Sequence, residues 1–171
     1  MNMLEKNLGD IRDRIASAAS ACGRDPDSVR LLAVSKRKPA SDIRLAHSFG
    51  QRDFGENYLQ EAQGKMRELD DLNICWHFIG AIQSNKTRSI AEAFDWVHCI
   101  DRLKIASRLS EQRPEGREPL NACIQVNLDD ESSKAGIDLD IYLFMYETRV
   151  LEFRENPPGR DWDGVYVATS K

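Results

Sequence analysis

Leu4, Leu8, Ile11, Ile15, Ala18 and Cys22 recur at intervals of three and four residues, which is the signature of one helical face. Gly23 and Pro26 close that segment, so a helix over residues 4–22 is predicted. The pattern then changes. Leu31-Leu32-Ala33-Val34 is an unbroken apolar run, read as a short strand covered on both faces, and it stops abruptly at Ser35-Lys36-Arg37-Lys38-Pro39. Pro39-Ala40-Ser41-Asp42 opens a helix carrying Ile43, Leu45 and Ala46, with Gly50 as its end. Residues 52–57 read as a second strand, followed by a helix from about Tyr58 with Leu59, Ala62, Met66 and Leu69 on one side. Strands are predicted again at 74–80, 96–101 and 120–128, separated by helices over 82–94 and from Leu103 to about Leu109.

Regular alternation of strand and helix with short links requires a parallel sheet, either open and doubly wound or closed as a barrel. No G-x-G-x-x-G or G-x-x-x-x-G-K-[ST] follows any strand, which removes the usual nucleotide-binding versions of the open sheet. Polar residues fall near the strand carboxyl ends: Lys36, Glu56, Asn57, His77, Asp101 and Asn127. On a barrel they would share the rim that carries chemistry. The expected fold class is therefore α/β of the (β/α)8 TIM-barrel type. It is incomplete, with five or six of eight βα units and an N-terminal helix.

Composition narrows the function. The chain has 171 residues, 41% apolar and 30% charged, and a net charge of −4. That is ordinary globular usage, without the basic aromatic-studded face that binds nucleic acid or an anionic membrane. No apolar run approaches 18 residues, and the start of the chain is polar and amphipathic, so a soluble cytoplasmic protein is expected. Cys22, Cys75, Cys99 and Cys123 form no C-x-x-C pair and read as free thiols of a reducing compartment. Cys75, His77, His98 and Cys99 match no zinc spacing, so no metal is expected.

Lys36 ends the first strand. With alternating side chains, Leu32, Val34 and Lys36 share one face; if that face lines a barrel, Lys36 points inward over a pocket. It is either one of a solvated Lys-Arg-Lys run or a partly desolvated amine able to attack a carbonyl as the free base.

Ala33-Val34-Ser35-Lys36 with Lys38-Pro39, then Phe54-Gly55-Glu56-Asn57-Tyr58, then Trp76-His77-Phe78-Ile79-Gly80 with Gln83-Ser84-Asn85-Lys86, resemble the pyridoxal phosphate homeostasis protein family. Asp101-Arg102-Leu103, Gln125-Val126-Asn127 and Ser133-Lys134-Ala135-Gly136-Ile137 follow in the family's order, so the resemblance covers residues 4–139. It implies a barrel like the alanine racemase N-terminal domain, with pyridoxal 5′-phosphate held as a Schiff base on Lys36 and a role in intracellular vitamin B6 balance without catalytic turnover. Asn57 and His77 are then expected to approach the cofactor. The alternatives are a helix-capping role for Asn57 and a core histidine bonded to a backbone carbonyl for His77.

Beyond about Leu139 the resemblance stops. Residues 1–139 read as a partial cofactor-binding barrel and 140–171 as a divergent segment, with one further strand expected at 163–168. The family's Ser- and Gly-rich phosphate loop finds no match there, which leads to an expectation of weakened cofactor affinity. Two other readings are a racemase-like enzyme and an inert fragment. The protein is expected to be a monomer or to self-associate through an unclosed barrel.

Overall fold

The structure is a computed structural model that describes residues 2–128, 135–138, 147, 151 and 154–155. The chain divides into two compact units, Met1–Gln125 and Val126–Lys171.

In the first unit, α1 (Met3–Ala21) starts on an Asn2 cap, whose Oδ1 accepts from the Leu4 amide at 2.9 Å. A single 3-10 turn at Pro26–Ser28 leads to β1 (Ala33–Val34), α2 (Ala40–Ser48), β2 (Asp53–Glu56), α3 (Leu59–Glu68) and β3 (Cys75–Phe78). Then come α4 (Thr87–Ala93), β4 (Trp96–Ile100), α5 (Leu103–Gln112) and β5 (Asn121–Ile124). The five strands are all parallel and lie in chain order, β1-β2-β3-β4-β5. A doubly wound sheet reverses direction at a switch point; this one never does. With right-handed crossovers throughout, every helix must fall on the same face.

The core agrees. Phe54, Trp76, Phe78 and Val97 project toward Ile43 and Ala46 of α2, Leu59 and Ala62 of α3, Ile90 of α4, and Ile105 and Leu109 of α5 in one buried cluster. Strand register fixes what lies opposite. Gly55 pairs with Val34 and His77, Asp53 with Cys75, and His77 with Trp96. Those residues occupy the other face, the one a barrel turns inward.

Several sequence expectations shift. The first strand is shorter than its apolar run and is not covered on both faces, because Val34 on the inward face is 52% exposed. The helix expected over 82–94 begins only at Thr87; the preceding residues form a turn, with Thr87 Oγ1 donating to the Ser84 carbonyl at 3.0 Å. The strand expected over 120–128 is split. Asn121–Ile124 joins the five-stranded sheet, whereas β6 (Val126–Asn127) belongs to the second unit and pairs in parallel with β7 (Ile137–Asp138). The strand expected at 163–168 lies outside the described residues.

Candidate functional site

Lys36 follows β1 in a turn spanning residues 35–38, closed by the Lys38 amide donating to the Ser35 carbonyl at 3.0 Å. Arg37, the third residue of that turn, has φ of 62°, a left-handed conformation normally left to glycine or asparagine. The side chain of Lys36 is exposed, and its amine has no hydrogen bond or ion pair with any described residue. The residues on either side of it are held firmly.

Ser35 is buried and donates through Oγ to Glu56 Oε1 at 2.6 Å. Lys65 reaches in from α3, with its ammonium 2.8 Å from the Ser35 carbonyl, 2.7 Å from Glu56 Oε1 and 2.6 Å from Glu61 Oε1. Glu61 in turn accepts the Arg37 amide. Lys65 is 6% exposed and Glu56 is fully buried, so this ion pair is desolvated on both sides. The hydrogen bond from Lys65 is the main reason the Glu61 carboxyl sits below its ordinary range. The backbone before and after Lys36 is thus tied to one charged network on α3.

Glu56 therefore does not stand on the rim with Lys36 and Asn57, contrary to expectation. It shares strand parity with Phe54, and Phe54 faces the helices. Asn57 comes one residue later, beyond β2 and at the level of Lys36, since each lies two residues past the Val34–Gly55 register pair. It caps no helix: Tyr58 is the N-cap of α3 and makes no side-chain cap bond. The Oδ1 of Asn57 is buried, with no hydrogen-bond partner among the described residues. Gly80 explains the close fit there, because a Cβ at that position would come within 2.3 Å of the Asn57 carbonyl oxygen. Two of the sequence motifs thus touch backbone to backbone, and the Ile79 amide donates to the Glu56 carbonyl at 2.9 Å. Asp101, after β4, accepts from Arg102 at 2.7 Å through Oδ2, while its Oδ1 is buried with no partner among the described residues.

His77 lies deeper, level with Val34 and Gly55, and its surroundings are its own. Its Nε2 is 3.0 Å from Asp53 Oδ1 and 3.4 Å from Cys75 Sγ, its Nδ1 is 3.0 Å from His98 Nε2, and its ring stacks on Trp96 at 5.6 Å and 9°. Both ring nitrogens are engaged with side chains, not with a backbone carbonyl. Burial lowers the pKa of His77 against the opposing pull of Asp53. Burial also lowers that of His98, with His77 adding to the effect. The Cys75 thiol is pushed up to about 11, first by burial and then by the Asp53 charge. Neutral rings and a protonated thiol follow at neutral pH. An ionised Asp53 only accepts, so His77 Nε2–H donates to it, and Nδ1 accepts from His98.

Among the expected site residues, the structure places Lys36 and Asn57 at one level of one rim and seats His77 a layer below them. Asn127 belongs to the second unit. The residues not foreseen are Ser35, Glu61 and Lys65. The Glu61–Lys65 spacing of four on a helix was the available signal.

Residues 7–150 match the family described as alanine racemase, N-terminal domain. The pyridoxal phosphate homeostasis protein of Pseudomonas aeruginosa is 63% identical over 136 residues, covering 80% of this chain and 59% of that protein. Its counterpart in Escherichia coli K12 is 55% identical over 142 residues, covering 81% and 61%. PipY of Synechococcus elongatus PCC7942, solved with PLP bound, aligns at a TM-score of 0.63 and 44% identity, covering 78% of this chain and 63% of that one. A protein of unknown function from Bifidobacterium adolescentis aligns at a TM-score of 0.72 with 29% identity, covering 83% of this chain and 62% of that one. The chain spans about three fifths of the length of the curated relatives it matches. No helix among the described residues is long and apolar enough to cross a membrane. On its strand order, its rim motifs and these matches, the chain belongs to the alanine racemase N-terminal domain family.

Proposed function

We propose that this chain holds pyridoxal 5′-phosphate through the Lys36 amine and serves intracellular vitamin B6 balance as a carrier, with no catalytic turnover. When bound, the cofactor supplies an aldehyde that condenses reversibly with a neutral amine. The observation that carries the reading is the setting of Lys36: an unpaired, reachable amine on a backbone fixed at Ser35 and at Arg37 by the Lys65 network. A nucleophile presented from a fixed backbone loses less freedom when its carbonyl partner arrives.

Asn57 fits the same group. Its unpartnered Oδ1, at the level of Lys36, leaves an amide able to bond a polar atom of a bound ring. His77 takes a supporting part only, since Asp53 and His98 already occupy its two nitrogens. That engagement favours a holder of the cofactor over a racemase, which needs a free acid or base beside the reacting carbon. The PLP-bound PipY relative supports the cofactor assignment, and four unpaired thiols suit a cytoplasmic setting.

The test is borohydride reduction after adding one equivalent of pyridoxal phosphate, followed by peptide mass mapping. The reduced adduct is expected on Lys36. Adducts spread evenly over Lys38, Lys65 and Lys86 would overturn the assignment.

A further inference from the structure

The cluster on the inward face of the sheet has a composition the proposed carrier role does not use. β3 contributes Cys75 and His77, two residues apart and so on one side of the strand. Parallel register then sets Asp53 of β2 directly beside Cys75. The result is a sulfur, an imidazole nitrogen and a carboxylate oxygen all within 4.8 Å of one another. His77 Nε2 lies 3.0 Å from the oxygen and 3.4 Å from the sulfur. A tetrahedral zinc ion with metal–ligand distances of about 2.0–2.3 Å separates its ligand atoms by roughly 3.3–3.6 Å, within a few tenths of an ångström of these two distances from His77.

We propose that Asp53, Cys75 and His77 form a binding site for a zinc-class divalent cation, with His98 as the residue that orients His77. Three features of the surroundings favour it. A thiolate and a carboxylate together cancel the two charges of the ion, so the loaded site is neutral where two of its three ligands are buried. The outer nitrogen of His77 already meets His98 Nε2 at 3.0 Å, the kind of contact that fixes the ring of a metal-bound histidine. Trp96 stacked on the ring limits its rotation further.

The cation now closest to Asp53 is Arg30, 3.4 Å away, with a side chain 65% exposed; a pair of that kind yields readily. A cleft of about 450 Å³ lined by Arg12, Arg30 and Gln51 reaches Asp53. Three protein ligands leave a fourth position for water, the arrangement of an open site.

The proton balance is definite. Metal replaces the Cys75 thiol proton, which leaves to solvent. His77 gives up its Nε2 proton and takes one on Nδ1 from His98. His98 regains one on its outer nitrogen from solvent. One proton is released per ion bound.

The test is a Co²⁺ titration of the EDTA-stripped full chain, with cobalt as the spectroscopic stand-in for zinc. A thiolate-to-cobalt charge-transfer band saturating at one equivalent, with one proton released and the band erased by Zn²⁺, is expected. Cys75→Ser should abolish the band and Asp53→Asn should weaken binding, while His98→Phe should weaken it roughly 10–100-fold. Asp53→Asn keeps an acceptor for His77 and guards against a folding failure of Cys75→Ser, with thermal melts as the check. Absence of the band, or a band that survives Cys75→Ser and so arises at Cys22, Cys99 or Cys123, would overturn the proposal.

Discussion

Asp53 and Glu56 are three residues apart in β2, yet they anchor two clusters of opposite character. Glu56, on the helix side, is fully buried against the Lys65 ammonium, which also meets Glu61. Asp53, on the inward side, sits among neutral rings and a protonated thiol, its one ion pair being with the largely exposed Arg30. The first cluster joins α3 to the backbone on either side of Lys36 and so serves placement. The second gathers ligand-type atoms around one imidazole. Strand parity alone decides which acid goes where, because an odd separation along a strand puts two side chains on opposite faces.

The sharpest way to break this contrast is to remove the cation from the charged side. Lys65→Met leaves the Glu56 carboxylate buried without a cation, held only by the Ser35 hydroxyl, and should cost about 3–5 kcal/mol by chemical denaturation. Pairing it with Glu56→Leu should recover most of the loss, since no buried charge then remains. A loss below about 1 kcal/mol for the single change, the range of exposed pairs, would mean that the network is not buried in solution.

Next in size is Gly80→Ala. The new methyl must displace the Asn57 backbone, so a cost of about 1–3 kcal/mol is expected, with the perturbation centred on residues 56–58 in an NMR shift map. Acid should then single out the neutral side. His77 and His98 have folded-state pKa values below the ordinary 6.5. The unfolded chain therefore binds more protons than the native one once the pH drops below about 6.5, and stability falls from there downward. Melting temperature should be level between pH 7 and 8 and lower at pH 5.5. His98→Phe should flatten part of that slope, and Lys65→Met should not. The smallest effect is expected at Arg37, where φ of 62° strains a side-chain-bearing residue; Arg37→Gly should gain roughly 0.5–1 kcal/mol.

Much of the fold can be read from the sequence because its signals are local. The 3.6-residue stripe of α1, the Pro39 start of α2 and the alternation of apolar runs with amphipathic segments predict five strands linked in βα fashion, and the sheet of the first unit has five parallel strands in chain order. What fails is information that local patterns do not carry. A run such as Leu31–Val34 looks fully buried, yet the sequence does not say which face a neighbouring layer covers, and Val34 is half exposed. Glu56 beside Asn57 reads as a polar pair on one rim, although counting parity from Phe54 would have separated them. The link from Lys65 to Ser35 spans 30 residues, and the meeting of Asp53 with Cys75 depends on register between two strands. Neither is visible before the sheet is assembled.

If Lys36 carries the cofactor as proposed, the fixed backbone around it should set it apart from the other lysines, and a timed labelling comparison will show whether it does. Wild type and Glu61→Ala, which frees the Arg37 amide while leaving the buried Lys65–Glu56 pair in place, are exposed to limiting pyridoxal phosphate, reduced at intervals and mapped. Lys36 is expected to be labelled well ahead of Lys38 in the wild type and to lose most of that lead in Glu61→Ala. Equal rates at the two lysines in the wild type, or a lead untouched by the substitution, would contradict the account.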